Sequence, residues 1–224
     1  MTRSRVLLGA FALAAAVDLF SLAVGLDTGH TVAKPLLMPL LAAWAALRGA
    51  PRPLVAALLC GWGGDVLLLS EADPAFLAGM ASFAAGHVCY LVLFARTHRP
   101  RARAVLLAPC YGTALIATVA LLWPGLPADL RLPVAVYSTL LTAMAYSATT
   151  RLGPVAGAGG LLFLLSDTLI ATGVADWPQP PRPDLWIMLT YLVAQFLLVH
   201  GTLGALGERR ATATSHREVR STTP

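Results

Sequence analysis

Apolar residues run along this chain in long blocks, separated by short stretches rich in Pro, Gly and Arg. A bilayer-crossing helix needs about 20 consecutive apolar residues. The blocks predict eight such spans, at about 5–26, 33–48, 53–70, 74–95, 104–123, 131–150, 153–173 and 184–206. The fold class expected is an all-α membrane protein, a bundle of eight transmembrane helices forming one domain over 1–206. Residues 207–224 read as a polar cytoplasmic tail, expected to be disordered. No ten-residue stretch alternates apolar and polar positions, so nothing points to a β-barrel. Span two is the shortest, and Lys34-Pro35 is placed at its start, where proline is tolerated. Arg3, Arg5 and the alanines Ala14, Ala15 and Ala16 outline a signal peptide. The apolar run continues past Asp18 to Leu26, however, so an uncleaved first span is expected.

Composition sharpens this picture. The 224 residues are 57% hydrophobic and 12% charged, with mean hydropathy +0.71. Soluble domains carry about 25% charge, so a soluble enzyme, a nucleic-acid-binding domain and a disordered chain are excluded. The net charge of +5 belongs to loop arginines. If the termini and the second, fourth and sixth loops share one side, that side holds 13 of the 16 basic residues, among them Arg48, Arg52, Arg96, Arg99, Arg101, Arg103 and Arg151. Lys34, Arg131 and Arg182 fall opposite, with Asp27, Glu71, Asp73, Asp129, Asp176 and Asp184. The positive-inside rule then puts both termini in the cytoplasm, and a multi-pass protein of the cell (inner) membrane is expected. The three cysteines, Cys60, Cys89 and Cys110, form no CxxC. They suggest neither a disulfide nor a metal site, and no cofactor is expected.

Eight of the eleven acidic residues lie in loops or the tail; Asp18, Asp65 and Asp167 lie within spans. A charge there costs about 2.5–3.5 kcal/mol or more, which marks a functional position. All three sit 12 to 14 residues from the cytoplasmic ends of their spans, in one layer. His87, Gln195 and Tyr191 reach that layer from spans running the other way, so a common polar cavity is expected. Each also has an ordinary reading: a satisfied core histidine for His87, a helix-to-helix hydrogen bond for Gln195. Asp65 follows Gly61-Trp62-Gly63-Gly64, and Asp167 follows the small residues Gly153, Gly157 and Gly160. Such glycines allow close helix approach. A contact between spans three and seven is expected, bringing the two carboxyls together. Adjacent carboxyls cannot both ionise easily and share a proton, which makes a general acid beside a general base.

Five segments in order and spacing resemble the YhhN-like lysoplasmalogenase family. They are Lys34-Pro-Leu-Leu-Met-Pro-Leu-Leu41, Gly61-Trp-Gly-Gly-Asp-Val-Leu-Leu-Leu69, Phe76 to Tyr90 with its Gly-His-Val-Cys-Tyr ending, Gly160 to Thr168 with its Ser-Asp-Thr ending, and Tyr191-Leu-Val-Ala-Gln195. The resemblance covers spans two to eight; Asp18 lies outside it. It implies an eight-helix enzyme that hydrolyses the vinyl ether of lysoplasmalogens to a fatty aldehyde and glycerophosphoethanolamine or glycerophosphocholine. It implies Asp65 and Asp167 as the catalytic pair, with Lys34, His87, Tyr90 and Gln195 nearby, and Tyr191 and Asp18 as further supporting candidates. The partner implied is a lysophospholipid within the bilayer, among membrane lipids; nucleic acid is not expected and the oligomeric state stays open.

The chemistry suits carboxyls. A vinyl ether resists base and yields to acid, and either Asp suits either role. Lys34 is a candidate phosphate contact or a snorkelling lysine. Rival readings are weaker on the residues. An intramembrane aspartyl protease needs GxGD and Pro-Ala-Leu, where this chain has Trp62-Gly63-Gly64-Asp65 and no Pro-Ala-Leu. A serine hydrolase lacks GxSxG. A proton-coupled transporter or a lipid-binding membrane protein suits the buried acids but lacks an inverted repeat.

Overall fold

The computed structural model describes residues 2–70, 72–97 and 104–221. Glu71, Arg99, Arg101 and Arg103, which entered the charge count above, lie outside the described residues, as do the side chains of Arg210, Arg217 and Arg220. Among the described residues the chain forms eight α-helices and no strand. They are α1 (Thr2–Val24), α2 (Asp27–Leu47), α3 (Arg52–Leu67), α4 (Asp73–Thr97), α5 (Ala104–Leu122), α6 (Arg131–Ser147), α7 (Pro154–Val174) and α8 (Pro183–Ser221). A π-helical turn, Ala148–Leu152, continues α6.

Local chemistry sets the breaks. Gly49 at φ 79° and Gly153 at φ 106° take up left-handed backbone that side chains disfavour, and each stops a helix. Prolines follow at once: Pro53 in the first turn of α3 and Pro154 at the start of α7, where the missing N–H costs nothing.

Three differences from the expected spans have physical causes. Helix α2 begins at Asp27, so Pro35 and Pro39 lie inside it and not at its start. Pro39 has no N–H for the carbonyl of Pro35, one turn earlier. The indole Nε1 of Trp62 on α3 donates to that oxygen at 2.9 Å. Second, the eight helices match the eight spans expected in number, and among the described residues six of them (α1, α2, α4, α5, α7 and α8) are long and apolar enough by themselves to cross a membrane, while the π-helical turn carries the α6 run on to Leu152. Helices α3 and α6 have 16 and 17 residues. At about 1.5 Å per residue a 16-residue helix is about 24 Å long, short of the ~30 Å hydrocarbon core. Third, where a disordered tail is expected, α8 continues to Ser221; no proline or glycine interrupts it after Gly207.

Helices adjacent in sequence pack as antiparallel pairs, α1 with α2, α3 with α4 and α7 with α8. Helix α2 also packs on α3, and α6 joins α4 to α7. Helix α5 rests mainly on α6, and its outward residues Val105, Leu106 and Ile116 are at least 70% exposed. An exterior of bare aliphatic side chains on helices of this length makes the chain a multi-pass membrane protein. The core is a continuous aliphatic and aromatic cluster through Leu37, Leu41, Leu58, Phe94, Met144 and Leu198.

Candidate active site

Asp65 is buried on α3. Its Oδ2 accepts the hydroxyl of Tyr191 on α8 at 2.9 Å. One turn on, the Gln195 amide Nε2 faces the Tyr191 oxygen at 3.4 Å, and the Gln195 Oε1 accepts from Tyr90 of α4 at 2.8 Å. Each donor therefore ends on an acceptor, which is how buried polar groups avoid the cost of desolvation. The glycines preceding Asp65 make the room. A Cβ on Gly61 would stand 3.1 Å from the Tyr191 hydroxyl and 3.2 Å from Gln195 Nε2, and one on Gly64 only 2.4 Å from the Phe83 ring.

Asp167, on α7, is half-buried. Its Oδ2 accepts the hydroxyl of Tyr137 from α6. His87 Nε2 lies 3.1 Å from that hydroxyl, while His87 Nδ1 is buried with no partner. An unpaired acceptor nitrogen is cheaper to bury than an unpaired N–H. The geometry therefore favours the proton on Nε2, giving a one-way series from His87 to Tyr137 to Asp167.

The expected contact between spans three and seven is not one of the main helix pairings. Helix α3 packs on α2 and α4, and α7 on α6 and α8. The Gly159 and Gly160 positions receive α8 and α6: a Cβ at Gly159 would meet Ala194 O at 2.9 Å, and one at Gly160 the Ala145 Cα at 2.7 Å. The two carboxyls nevertheless lie within electrostatic reach of each other, and aromatic rings pack beside their tyrosine and histidine partners. Phe163 stands edge-on to both Tyr191 (centroids 5.4 Å apart) and His87 (4.9 Å). Phe83 stands edge-on to Tyr191 at 5.9 Å.

Nor do the polar residues surround one cavity. A cavity of about 310 Å³ lies between α4, α5, α6 and α7. It is walled largely by Leu, Val, Ile, Met and Phe, with Asp167 and Tyr137 at its side. Asp18, Lys34, Asp65, His87, Tyr90, Tyr191 and Gln195 do not line it. Phe83 does, and the same ring packs against Tyr191 and beside Gly64, the residue before Asp65. Asp18 is fully buried and pairs with His30 in the first part of α2, Oδ1 to Nδ1 at 2.8 Å, while its Oδ2 has no partner. Lys34 is half-buried and lies within electrostatic reach of Asp65. Among the described residues no three His, Cys, Asp or Glu side chains gather into a metal-sized cluster.

Tyr137, His30 and Phe83 are the residues that the sequence analysis does not single out as site residues. Tyr137 lies six residues into α6, about 9 Å from the helix start, where a tyrosine in an apolar run reads as an ordinary core aromatic. The signal available was its register with Ser138 and Leu141 on one side of the helix.

A helical bundle of this kind, with carboxyls inside and a largely apolar cavity against one of them, has the form of a multi-pass membrane protein with a site within its helices. The chain belongs to the YhhN family, whose model matches residues 29–202. It is 39% identical over 149 residues to a Sus scrofa protein named lysoplasmalogenase TMEM86B, covering 65% of this chain and 61% of that protein. It is 37% identical over 153 residues to lysoplasmalogenase TMEM86B of Homo sapiens, covering 68% and 63%. A Mycobacterium bovis lysoplasmalogenase is 32% identical over 195 residues, covering 78% and 72%. The match thus spans about three fifths of the two mammalian relatives. No solved structure matches the chain.

Proposed function

We propose that the protein is a lysoplasmalogenase that hydrolyses the vinyl ether of an alkenyl lysophospholipid within the membrane. The observation that carries this reading is a carboxyl, Asp167, the one charged group in the wall of a largely apolar cavity, in a chain whose relatives carry that name. An acid-labile bond in an apolar lipid asks for one proton donor in a greasy slot.

In the reaction, Asp167 donates a proton to the β-carbon of the vinyl ether; the π electron pair of the double bond forms the new C–H bond, and a lone pair of the ether oxygen makes the α-carbon an oxocarbenium ion. Water adds at the α-carbon and returns a proton to Asp167. The hemiacetal then breaks its C–O bond to the glycerol oxygen, which takes up the hydroxyl proton. One water is consumed, and a fatty aldehyde and a glycerophospho-alcohol are released. With Oδ2 occupied by Tyr137, Oδ1 is the oxygen that carries the proton. Asp65, outside the cavity lining, contributes negative charge to the developing cation across a low-dielectric interior. The charge balance of the loops supports an inner-membrane protein with cytoplasmic termini.

The test is aldehyde release by the purified protein from a lysoplasmalogen and from its saturated-ether analogue. Release from the vinyl ether alone, lost in a folded Asp167→Asn variant, is the expected result. A well-folded protein that releases none is a lipid-binding protein or a transporter.

A further inference from the structure

The cavity has a direction. Along α7 it runs from Leu161 to Val174, about 20 Å at 1.5 Å per residue. One end is bounded by Leu68, Phe76 and Val174, all within a few residues of the ends of α3, α4 and α7. The other is bounded by Tyr111, Leu141 and Leu161. Tyr111 and Leu161 each lie seven residues inside their helices, about 10 Å from the helix start, and no charged side chain lines this end. Asp167 stands midway. A phosphate cannot be seated at the deep end, because an unpaired charge there costs several kcal/mol.

A cation stands ready at the other end. Arg131 opens α6, one turn before Val134, which lines the cavity. Its Nε donates to the Leu126 carbonyl at 3.2 Å, and its guanidinium lies over the Trp123 ring, 5.9 Å from the centroid. Those two contacts fix the plane of the group. Its two terminal amino groups make no hydrogen bond among the described residues, and they form the fork that binds a phosphate at two points. Arg131 is not itself in the lining but lies one turn before Val134, which is, whereas Lys34, the earlier phosphate candidate, is on α2, which does not wall the cavity.

We propose that a lysophospholipid lies in this cavity with its phosphate on Arg131 and its hydrocarbon chain directed past Asp167 toward Tyr111 and Leu161. The proposal rests on the lysoplasmalogenase reading for its ligand class and adds the ligand's orientation and its phosphate-binding residue. A 9 Å run from the level of Asp167 to Leu161 is shorter than a long fatty chain, so the distal carbons leave between α5 and α7 into the bilayer. Helix α5 permits this, since it touches α7 only slightly and is mostly exposed.

The test uses the full chain in detergent and a 1-O-alkyl lysophosphatidylethanolamine carrying a diazirine at mid-chain. Its saturated ether is not cleaved, so labelling is read independently of hydrolysis. Aldehyde release from a vinyl ether by the same preparation separates a failure of this proposal from a failure of the enzyme reading. Crosslinks on α5 and α7 around Tyr111 and Leu161 are expected. Ala114→Trp, which fills the cavity from an exposed position on α5, is expected to lower their yield about tenfold. Crosslinks on Leu13, Val17, Val32 or Leu36, in the apolar groove between α1 and α2, overturn the assignment. Arg131→Ala is expected to weaken the probe's binding about tenfold, the loss of one charge-assisted contact. Binding of the matching phosphate-free 1-O-alkylglycerol is expected to stay unchanged. Equal weakening of both ligands, or of neither, removes Arg131 from the phosphate site.

Discussion

Asp65 and Asp167 each accept a hydrogen bond from a tyrosine whose own oxygen faces a nitrogen, Gln195 Nε2 at one end and His87 Nε2 at the other. Chemically the two arrangements are near copies; in access they are opposites. Asp65 is 2% exposed and is not part of the cavity lining, whereas Asp167 forms part of the cavity wall. A carboxyl inside a bundle needs satisfied oxygens to exist there at all. It needs an open side as well to meet a substrate. The difference teaches that one polar network has to be read for its satisfaction and the other for its incompleteness.

The largest expected effect is on Asp167 itself. Asp167→Asn keeps shape and volume but transfers no proton, and aldehyde release is expected to fall about 10²–10⁴-fold with the folded fraction unchanged. Activity surviving in that variant would break the comparison at its open end. Phe83→Ala is expected next in size. Removing a core ring costs about 3–5 kcal/mol of stability and joins the Asp65 side to the cavity. In that background Asp65→Cys is expected to react with a small membrane-permeant thiol reagent, whereas with Phe83 present only Asp167→Cys reacts. Equal labelling at both positions in the presence of Phe83 would show that the ring is no partition.

The tyrosines give smaller effects that should diverge. Tyr191→Phe leaves a sealed acceptor unpaired, and thermal denaturation is expected to show about 1–3 kcal/mol of destabilisation. Tyr137→Phe leaves an acceptor that borders a cavity, so its cost in stability is expected to be lower and its effect to fall on kcat, about tenfold. Matching losses of stability in the two variants would mean that the two ends are equally closed. The smallest pair concerns glycine. Gly64→Ala drives a methyl against the Phe83 ring and is expected to cost about 1–3 kcal/mol. Gly9→Ala on α1 meets nothing within 4 Å and is expected to be neutral or to stabilise by up to about 1 kcal/mol.

The helical class was legible because bilayer thickness imposes a length and an apolarity on every crossing segment. Asp65 and Asp167 stood out for the same reason: a charge is conspicuous in an apolar run. Partners were harder to read. The glycines before Asp65 announce a close approach but not whose, and the approaching groups are Phe83, Tyr191 and Gln195 from α4 and α8, not α7. Asp18 reads as a member of the same layer, and it is held by His30 instead. Depth along a helix follows from residue number, while the direction a side chain faces in the bundle depends on how all the helices are rotated and which neighbours they choose.

By itself, then, the sequence determined that the chain is helical and membrane-embedded, where its helices break, and which buried acids are costly enough to matter. Those properties depend on local hydrophobicity and on the backbone limits of Gly and Pro, which act over a turn or a span. Only the tertiary structure decided that Tyr137 and not Asp65 is the hydrogen-bond partner of Asp167, and that the cavity is lined by one acid alone. Those depend on packing among helices far apart in sequence, where a single ring such as Phe83 decides which groups meet.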